Sequence, residues 1–151
     1  MKIAIGADHG GFELKQQIKQ SLKKAKHQVV DVGCTSPEPC DYPEFGFSAA
    51  EKVSKRKADR GIIVCKTGIG MAIIANKLPG VRAGVCASVK DAESARRHND
   101  TNVLVLAATQ TKGKKAAEIV KVWLKTKALK GRHARRVRQI KRLEKKVFKK
   151  R

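Results

Sequence analysis

Short runs of aliphatic and β-branched residues recur along the chain, and each is followed by a segment with helical character. The runs cover residues 3–5, 29–32, 62–64, 81–86 and 103–106. They are nearly continuous rather than alternating with polar residues, which is typical of parallel strands covered on both faces. The pattern therefore predicts an α/β fold, a three-layer α/β/α sandwich with a five-stranded parallel Rossmann-like sheet.

The apolar positions of three segments recur at the spacing of a helix face. Between the first two strands these positions are Leu14, Ile18, Leu22 and Ala25, with the lysines between them largely elsewhere on the helix. After the fifth strand they are Ala116, Ile119, Val120, Trp123 and Leu124. Near the end of the chain they are Val137, Ile140 and Val147, which predicts a terminal helix packed through a narrow apolar stripe.

The length of 151 residues fits one domain. Residues 33–43 hold three prolines and a glycine and are expected to form a loop. Lys130 and Gly131 separate an α/β body, residues 1–130, from a basic C-terminal helix, residues 131–151. We expect that helix to belong to the same domain.

The net charge of +22 is unevenly distributed, since residues 130–151 contain 12 Lys and Arg against one acid. Such a segment can bind nucleic acid through its phosphates. The chain has only six aromatic residues and the basic segment only Phe148, so a base-stacking platform is missing. A composition generally biased toward Lys and Arg explains the same charge without a partner, and we do not expect nucleic acid to be one.

The four cysteines, Cys34, Cys40, Cys65 and Cys86, have neither the C-x-x-C spacing of a zinc site nor the density of a disulfide-rich secreted domain. Free thiols in a reducing cytoplasm are expected. The first apolar run is broken by Asp8 and His9, and no run approaches the roughly 20 residues of a membrane span. We therefore expect a cytoplasmic protein without a membrane partner.

Candidate chemistry follows the first strand, because parallel α/β sheets bind ligands beyond the carboxyl ends of their strands. Residues 6–11 read G-A-D-H-G-G, in which Asp8 and His9 supply a carboxylate and an imidazole. The glycines allow close approach of the backbone to a ligand. Asp8 has a structural alternative, as the cap of the helix that begins near Gly11.

The third strand ends in a thiol. The residues there are Cys65, Lys66, Thr67, Gly68, Ile69, Gly70 and Met71. A thiol just before a helix start lies where the positive helix end favours the thiolate, and the following glycine-rich amides can bind an oxyanion. Alternatively, Cys65 is a buried strand-end residue and the glycines form a tight turn.

Two polar clusters come later in the chain. Residues 96–102 read R-R-H-N-D-T-N, in which His98 is either functional or an ordinary surface histidine. Residues 131–136 read G-R-H-A-R-R, and the guanidinium groups of Arg132 and Arg136 can bind a phosphate bidentately or form solvated basic surface.

Together with D-Y-P at residues 41–43 and A-N-K at residues 75–77, these clusters resemble in order and spacing the ribose-5-phosphate isomerase B family of ribose/galactose isomerases. The resemblance runs from Met1 to about Ile140. It implies an aldose–ketose isomerase of the pentose phosphate pathway that interconverts ribose 5-phosphate and ribulose 5-phosphate through a cis-enediolate. It also implies that no metal or other cofactor is used, and that a homodimer or tetramer shares its active sites between subunits.

The resemblance assigns roles to individual residues. Cys65 is the base, Thr67 passes a proton between O1 and O2, and His98 with Asp8 opens the sugar ring. The amides of Gly68, Ile69, Gly70 and Met71 stabilise the enediolate. The phosphate is bound by His9, Arg132 and Arg136, and the sugar by Tyr42 and Asn99. His98 and Asn99 are expected to serve the thiol of the other subunit.

Two positions depart from the family pattern. Lys66 stands where the family usually has Gly, which costs on the order of 1 kcal/mol if that residue requires a positive φ. Thr109 stands where the family commonly has a phosphate-binding Arg, a loss of about 1.5–3 kcal/mol unless Lys112, Lys66 or another base compensates.

These departures keep other functions open. One is an isomerase of allose 6-phosphate or galactose 6-phosphate, although the galactose 6-phosphate branch generally lacks the cysteine. Another is a non-catalytic relative that binds nucleic acid through its basic segment.

Overall fold

The structure is a computed structural model and describes residues 1–148. Its five strands form one parallel sheet in the order β2-β1-β3-β5-β4. They are β1 (Lys2–Ala7), β2 (Gln28–Asp31), β3 (Arg60–Cys65), β4 (Ala83–Val85) and β5 (Val103–Ala107). The predicted fold class is confirmed. The edge strand β4 is shorter than the predicted residues 81–86, because only its central part pairs with β5 as a regular ladder.

Six helices surround the sheet. They are α1 (Phe12–Lys24), α2 (Tyr42–Ser54), α3 (Ile69–Ala75), α4 (Val89–Asn99), α5 (Gly113–Lys125) and α6 (Arg132–Phe148), and a single 3₁₀ turn, His9–Gly11, precedes α1. One apolar cluster joins α1, α4 and α5 to one face of the sheet, and a second joins α2 and α3 to the other. Helix α6 packs outside these layers on α4. Residues 149–151 of the predicted basic helix lie outside the described residues.

The central strands explain the continuous hydrophobic runs. Every residue of β5 is buried, as is every residue of β3 after Arg60, because helices cover both faces of the sheet. Trp123 of α5 is fully buried, and its Nε1 donates to the Thr101 hydroxyl at 2.9 Å. The buried face predicted for α5 is confirmed except that Leu124 is only partly buried.

Helix α1 departs from its predicted face at two positions. Ala25 is exposed, because the helix ends at Lys24 and Ala25 is its C-cap. Lys15, expected outside the core, is 1% exposed, and its Nζ donates to Asp31 Oδ1 at 3.0 Å and to the Cys34 carbonyl at 2.6 Å. Burial alone would raise the pKa of Asp31, but hydrogen bonds from Lys19 and Lys15 lower it. The pair ties α1 to the end of β2.

Helix α6 buries only the first position of its predicted stripe. Val137 is 7% exposed, whereas Ile140 and Val147 are 45% and 63% exposed. Ile140 and Val147 line a groove of about 1000 Å³ between α6, α4 and the edge strand β4. The terminal helix is therefore confirmed, and within this chain it packs through Val137. Helical spacing shows which residues share a face but not what covers that face.

The strand order creates a switch point between β1 and β3. The chain leaves β1 toward β2 on one side, and it leaves β3 toward β4 and β5 on the other. Loops therefore diverge from the carboxyl ends of β1 and β3 and leave a crevice there, which is where α/β sheets bind ligands. Within residues 1–148, no helix combines the length and apolar character needed to cross a membrane.

Candidate active site

Asp8 lies at the carboxyl end of β1, on one side of the switch point. It is 7% exposed and caps the 3₁₀ turn, because its Oδ1 accepts a hydrogen bond from the Gly11 amide at 3.0 Å. Burial raises the pKa of Asp8, although the Gly11 amide and the nearby His9 act in the opposite direction. Asp8 therefore caps the turn, and the same hydrogen bond holds its carboxyl group at the crevice.

The turn after β1 can lie against β3 because residue 11 is glycine. A Cβ built on Gly11 would lie 2.4 Å from the Val64 carbonyl oxygen, which is backbone of a central strand and cannot move aside. His9 is exposed beside this turn, and its Nδ1 lies 3.1 Å from both the amide nitrogen and the carbonyl oxygen of Cys40. Contact with the loop before α2 thus orients the imidazole.

Cys65 ends β3 on the other side of the switch point. Its side chain is 5% exposed, and its Sγ accepts a hydrogen bond from the Gly68 amide at 3.0 Å. The left-handed position of this turn is Gly68, with φ of +80°, whereas Lys66 is not among the residues with positive φ. The strain considered for Lys66 is therefore absent. The turn directs an amide at the sulfur and so fixes its position at the crevice.

Thr67 and Tyr42 complete this side of the crevice. Thr67 is exposed, and its Oγ1 lies 3.4 Å from the Ile69 amide nitrogen. The Tyr42 ring lies directly over Gly70, since a Cβ built there would be 2.5 Å from Tyr42 Cζ. Met71 is fully buried in the core, so only its backbone faces the site.

The structure thus brings one set of predicted residues to the carboxyl edge of the sheet. That set comprises Asp8, His9, Tyr42, Cys65, Thr67, Gly68, Ile69, Gly70 and Met71. The others lie elsewhere in the same chain.

His98, Asn99, Arg132 and Arg136 lie at the opposite, amino edge. Helix α4 runs back along the sheet and ends just before β5 begins, so its last turn is at the amino end of that strand. The start of α6 is held there, because the Leu129 amide donates to the Arg97 carbonyl at 2.9 Å. A five-residue strand such as β5 separates the two edges by roughly 16 Å.

The amino-edge group contains a residue that sequence reasoning did not assign. The rings of His98 and His133 are stacked, with centroids 4.4 Å apart and an interplanar angle of 13°. Partial desolvation and the positive charge of neighbours, His98 first, lower the pKa of His133. The motif at residues 131–136 contained this histidine, but only the packing of α6 on α4 shows its partner.

Several polar residues of the R-x-H-N-D-T-N motif are structural. The Arg96 guanidinium is 4% exposed and bonds Asp100 Oδ1 at 2.8 Å as well as the Thr101 carbonyl. Asp100 adopts φ of +46° at the end of α4. Asn76, from the A-N-K motif, pairs its side-chain amide with both backbone groups of Ala83. These bonds fix α3, α4 and β4 relative to one another.

A second cleft, of about 550 Å³, opens at the carboxyl edge between the loops that follow β1, β3 and β5. It is lined by His9, Gly10, Glu13, Leu14, Gln17, Lys66, Ala108, Thr109 and Lys112. Across residues 1–148, no group of three or more His, Cys, Asp or Glu side chains is placed to hold a metal ion. All four cysteines are free thiols, and burial raises the pKa of Cys34 to about 11 and that of Cys86 to about 12.

A doubly wound α/β sheet binds small ligands at its switch point, and here that point carries a thiol and a carboxyl group. Comparison with known proteins specifies the class of protein, since the family model for Ribose/Galactose Isomerase matches residues 3–140. The chain is also 41% identical over 143 residues to ribose-5-phosphate isomerase B of Escherichia coli, covering 95% of this chain and 96% of that one.

Solved structures give the same result. Ribose-5-phosphate isomerase B of Clostridium thermocellum superposes with a TM-score of 0.94 at 47% identity, covering 97% of this chain and 99% of that one. The Mycoplasma genitalium enzyme with bound ribulose 5-phosphate gives a TM-score of 0.91 at 40% identity, covering 95% and 96%. The chain belongs to the ribose/galactose isomerase family and is a sugar-phosphate aldose–ketose isomerase.

Proposed function

We propose that this isomerase interconverts ribose 5-phosphate and ribulose 5-phosphate, with Cys65 as the base. The observation that carries the proposal is the Gly68 amide directed at Cys65 Sγ at 3.0 Å. This hydrogen bond holds the sulfur at the carboxyl end of β3, and a cysteine in its thiolate form can accept a proton from the substrate. The relative with ribulose 5-phosphate bound supports the choice of substrate.

In the proposed reaction the thiolate removes the proton from C2 of the open-chain aldose, and the electron pair moves onto the carbonyl oxygen to give a cis-enediolate. Thr67 transfers a proton from O2 to O1. The Cys65 thiol then returns its proton to C1, which yields the ketose and restores the thiolate. The backbone amides of Ile69, Gly70 and Met71, in the turn that follows Gly68, stabilise the negative charge of the enediolate, a contribution of about 3–4 kcal/mol per donor.

Ring opening and phosphate binding require the residues at the amino edge. We infer that they come from the second subunit of a homodimer, because His98 and Cys65 lie at opposite edges of one sheet. His98 of the partner subunit, with Asp8, exchanges protons with the furanose oxygens. Arg132 and Arg136 of the partner subunit bind the phosphate together with His9, and Tyr42 and the partner's Asn99 bind the sugar hydroxyls.

Replacement of the base tests the reaction. The variant Cys65→Ala is expected to lower kcat for ribose 5-phosphate by a factor on the order of 10²–10⁴, since it removes the group that accepts the proton. The matched control is Cys86→Ala, which removes a buried thiol at the end of the edge strand. This variant is expected to keep its activity. Ketose formation is followed directly, with allose 6-phosphate and galactose 6-phosphate as parallel substrates. A wild type without turnover of ribose 5-phosphate, or an active Cys65→Ala enzyme, contradicts the proposal.

A further inference from the structure

The 550 Å³ cleft, next to the turn that follows Cys65, has a net positive charge. Lys66, from the turn after β3, and Lys112, from the residue before α5, both line it, and Glu13 is the single carboxylate of its lining. None of the ion pairs formed among residues 1–148 includes either lysine. Lys15 and Lys19, by contrast, are both paired with Asp31.

Thr109 lines the same cleft, but its hydroxyl is already hydrogen-bonded to the backbone. Its hydroxyl donates to the Lys66 carbonyl oxygen at 2.8 Å, and its amide approaches the same oxygen at 3.2 Å. A neutral hydroxyl whose proton is already donated cannot replace a guanidinium as a phosphate ligand. The two bonds instead fix the backbone from which the Lys66 side chain extends.

Gly10 provides the room for Lys66. A Cβ on Gly10 would lie 3.2 Å from Lys66 Cβ and 3.3 Å from its amide nitrogen, so the β1 loop packs directly on the residue that carries the ammonium group. Lys66 is also adjacent in the chain to Cys65. Cys65 itself does not line this cleft, so an anionic group bound in it lies beside the turn that carries the thiol rather than at the sulfur.

We propose that Lys66 and Lys112 bind the phosphate group of the substrate from this side of the site, in place of the arginine that Thr109 replaces. The inference rests on the proposed function, which places the reacting carbons at Cys65. Two flexible ammonium groups attract a dianion as point charges, whereas a guanidinium holds it in one bidentate orientation. The site then tolerates small differences in phosphate position, which permits sugar phosphates of more than one chain length.

Binding of inorganic phosphate, measured by calorimetry on the intact protein, tests the inference without requiring catalysis. Lys66→Gln and Lys112→Gln are each expected to weaken phosphate binding about tenfold, because each removes one charged hydrogen-bond donor. The matched control is Lys114→Gln, an exposed lysine two residues beyond Lys112 that does not line the cleft. Its affinity should equal that of the wild type. Equal phosphate binding by the wild type and the Lys66→Gln/Lys112→Gln double variant overturns the inference.

A rescue variant separates loss of a ligand from loss of structure. Thr109→Arg in the double-variant background is expected to recover at least tenfold in phosphate affinity, because it restores a guanidinium to the same cleft while the backbone bond to Lys66 remains. Thermal unfolding of each variant shows whether the fold is kept. A folded double variant that Thr109→Arg does not rescue contradicts a phosphate site at this position.

Steady-state kinetics distinguish failure of this inference from failure of the proposed function. With ribose 5-phosphate, kcat/KM is expected to fall about tenfold per lysine, in parallel with the phosphate affinity. If the double variant turns over ribose 5-phosphate with unchanged kcat/KM, the proposed lysine site is wrong and the proposed reaction stands. If phosphate binding depends on the lysines but the wild type does not turn over ribose 5-phosphate, the proposed reaction is wrong and the lysine site stands.

Discussion

Asp8 combines a structural role with the catalytic role proposed for it, and the two make opposite demands on its charge. Its Oδ1 caps the 3₁₀ turn, whereas its burial disfavours the carboxylate and raises its pKa. A raised pKa suits a group that exchanges protons with a sugar oxygen. The same shift means that the ionised side chain reduces the stability of the fold.

Asp8→Asn is therefore expected to stabilise the protein at neutral pH while lowering its activity at least tenfold. Asn keeps an oxygen that accepts the Gly11 hydrogen bond but carries no charge to desolvate. The wild type loses stability as the pH rises from the ordinary Asp range through the raised pKa, so the advantage of Asn is present above that window and absent below it. Urea unfolding of both proteins across the pH range measures this, and an advantage that persists in acid contradicts it.

Single residues also show where sequence reasoning stops. The order of the motifs identified Cys65, Asp8 and His98 as candidates, but the sequence alone left the strain at Lys66 undecided. The structure assigns the left-handed conformation to Gly68, two residues later. Turn geometry depends on how the loops after β3 and β5 bond to each other, here through Thr109 and the Lys66 carbonyl, and those partners are 43 residues apart.

At the scale of elements, periodicity predicted the strands and most helix faces because central strands and amphipathic helices bury the residues that their spacing selects. It failed for Lys15, whose long side chain reaches from the core-facing side of α1 to Asp31 and the Cys34 carbonyl. A hydropathy pattern treats lysine as exposed, and it contains no information on a carboxylate 16 residues away.

Lys15→Met is expected to lower the free energy of unfolding by about 1–3 kcal/mol, since it leaves the Cys34 carbonyl without its buried donor and Asp31 with Lys19 as its one remaining ammonium partner. The control is Lys23→Met, an exposed lysine on the same helix, with an effect within about 0.5 kcal/mol. The lowered pKa of Asp31 means that its stabilising contribution is complete above the ordinary Asp range and is lost as the pH falls through the lowered value. The stability difference between the wild type and Lys15→Met should therefore become smaller in acid, as judged by denaturant titration, and the part due to the Cys34 carbonyl should remain.

For the whole molecule, the family resemblance gave the expectation that His98 and Asn99 serve the other subunit, but the residues themselves did not show why. The motifs follow each other along the sequence without indicating which edge of the sheet each occupies. That information comes from the direction of α4 and from the packing of α6 upon it. Neither the charge of +22 nor the apolar residues of α6 specified this arrangement.

A mixing experiment tests the shared site. Cys65→Ala and His98→Ala proteins are each expected to be nearly inactive, because every site in either homodimer lacks one group. After equal amounts are unfolded and refolded together, about half of the dimers are mixed, and one of the two sites in each is intact. The mixture should recover about a quarter of the wild-type activity. If the mixture recovers no activity, the thiol and the imidazole act within one chain.

The placement of Cys65 and His98 at opposite ends of the strands also determines how the rate depends on protein concentration. A dissociated chain holds the thiol of one proposed site and the imidazole of another, and it completes neither. Specific activity is therefore expected to decrease on dilution through the dimer dissociation constant and to return on concentration. Well below that constant the initial rate becomes second order in protein, so the kinetics of the isomerase report on its own assembly.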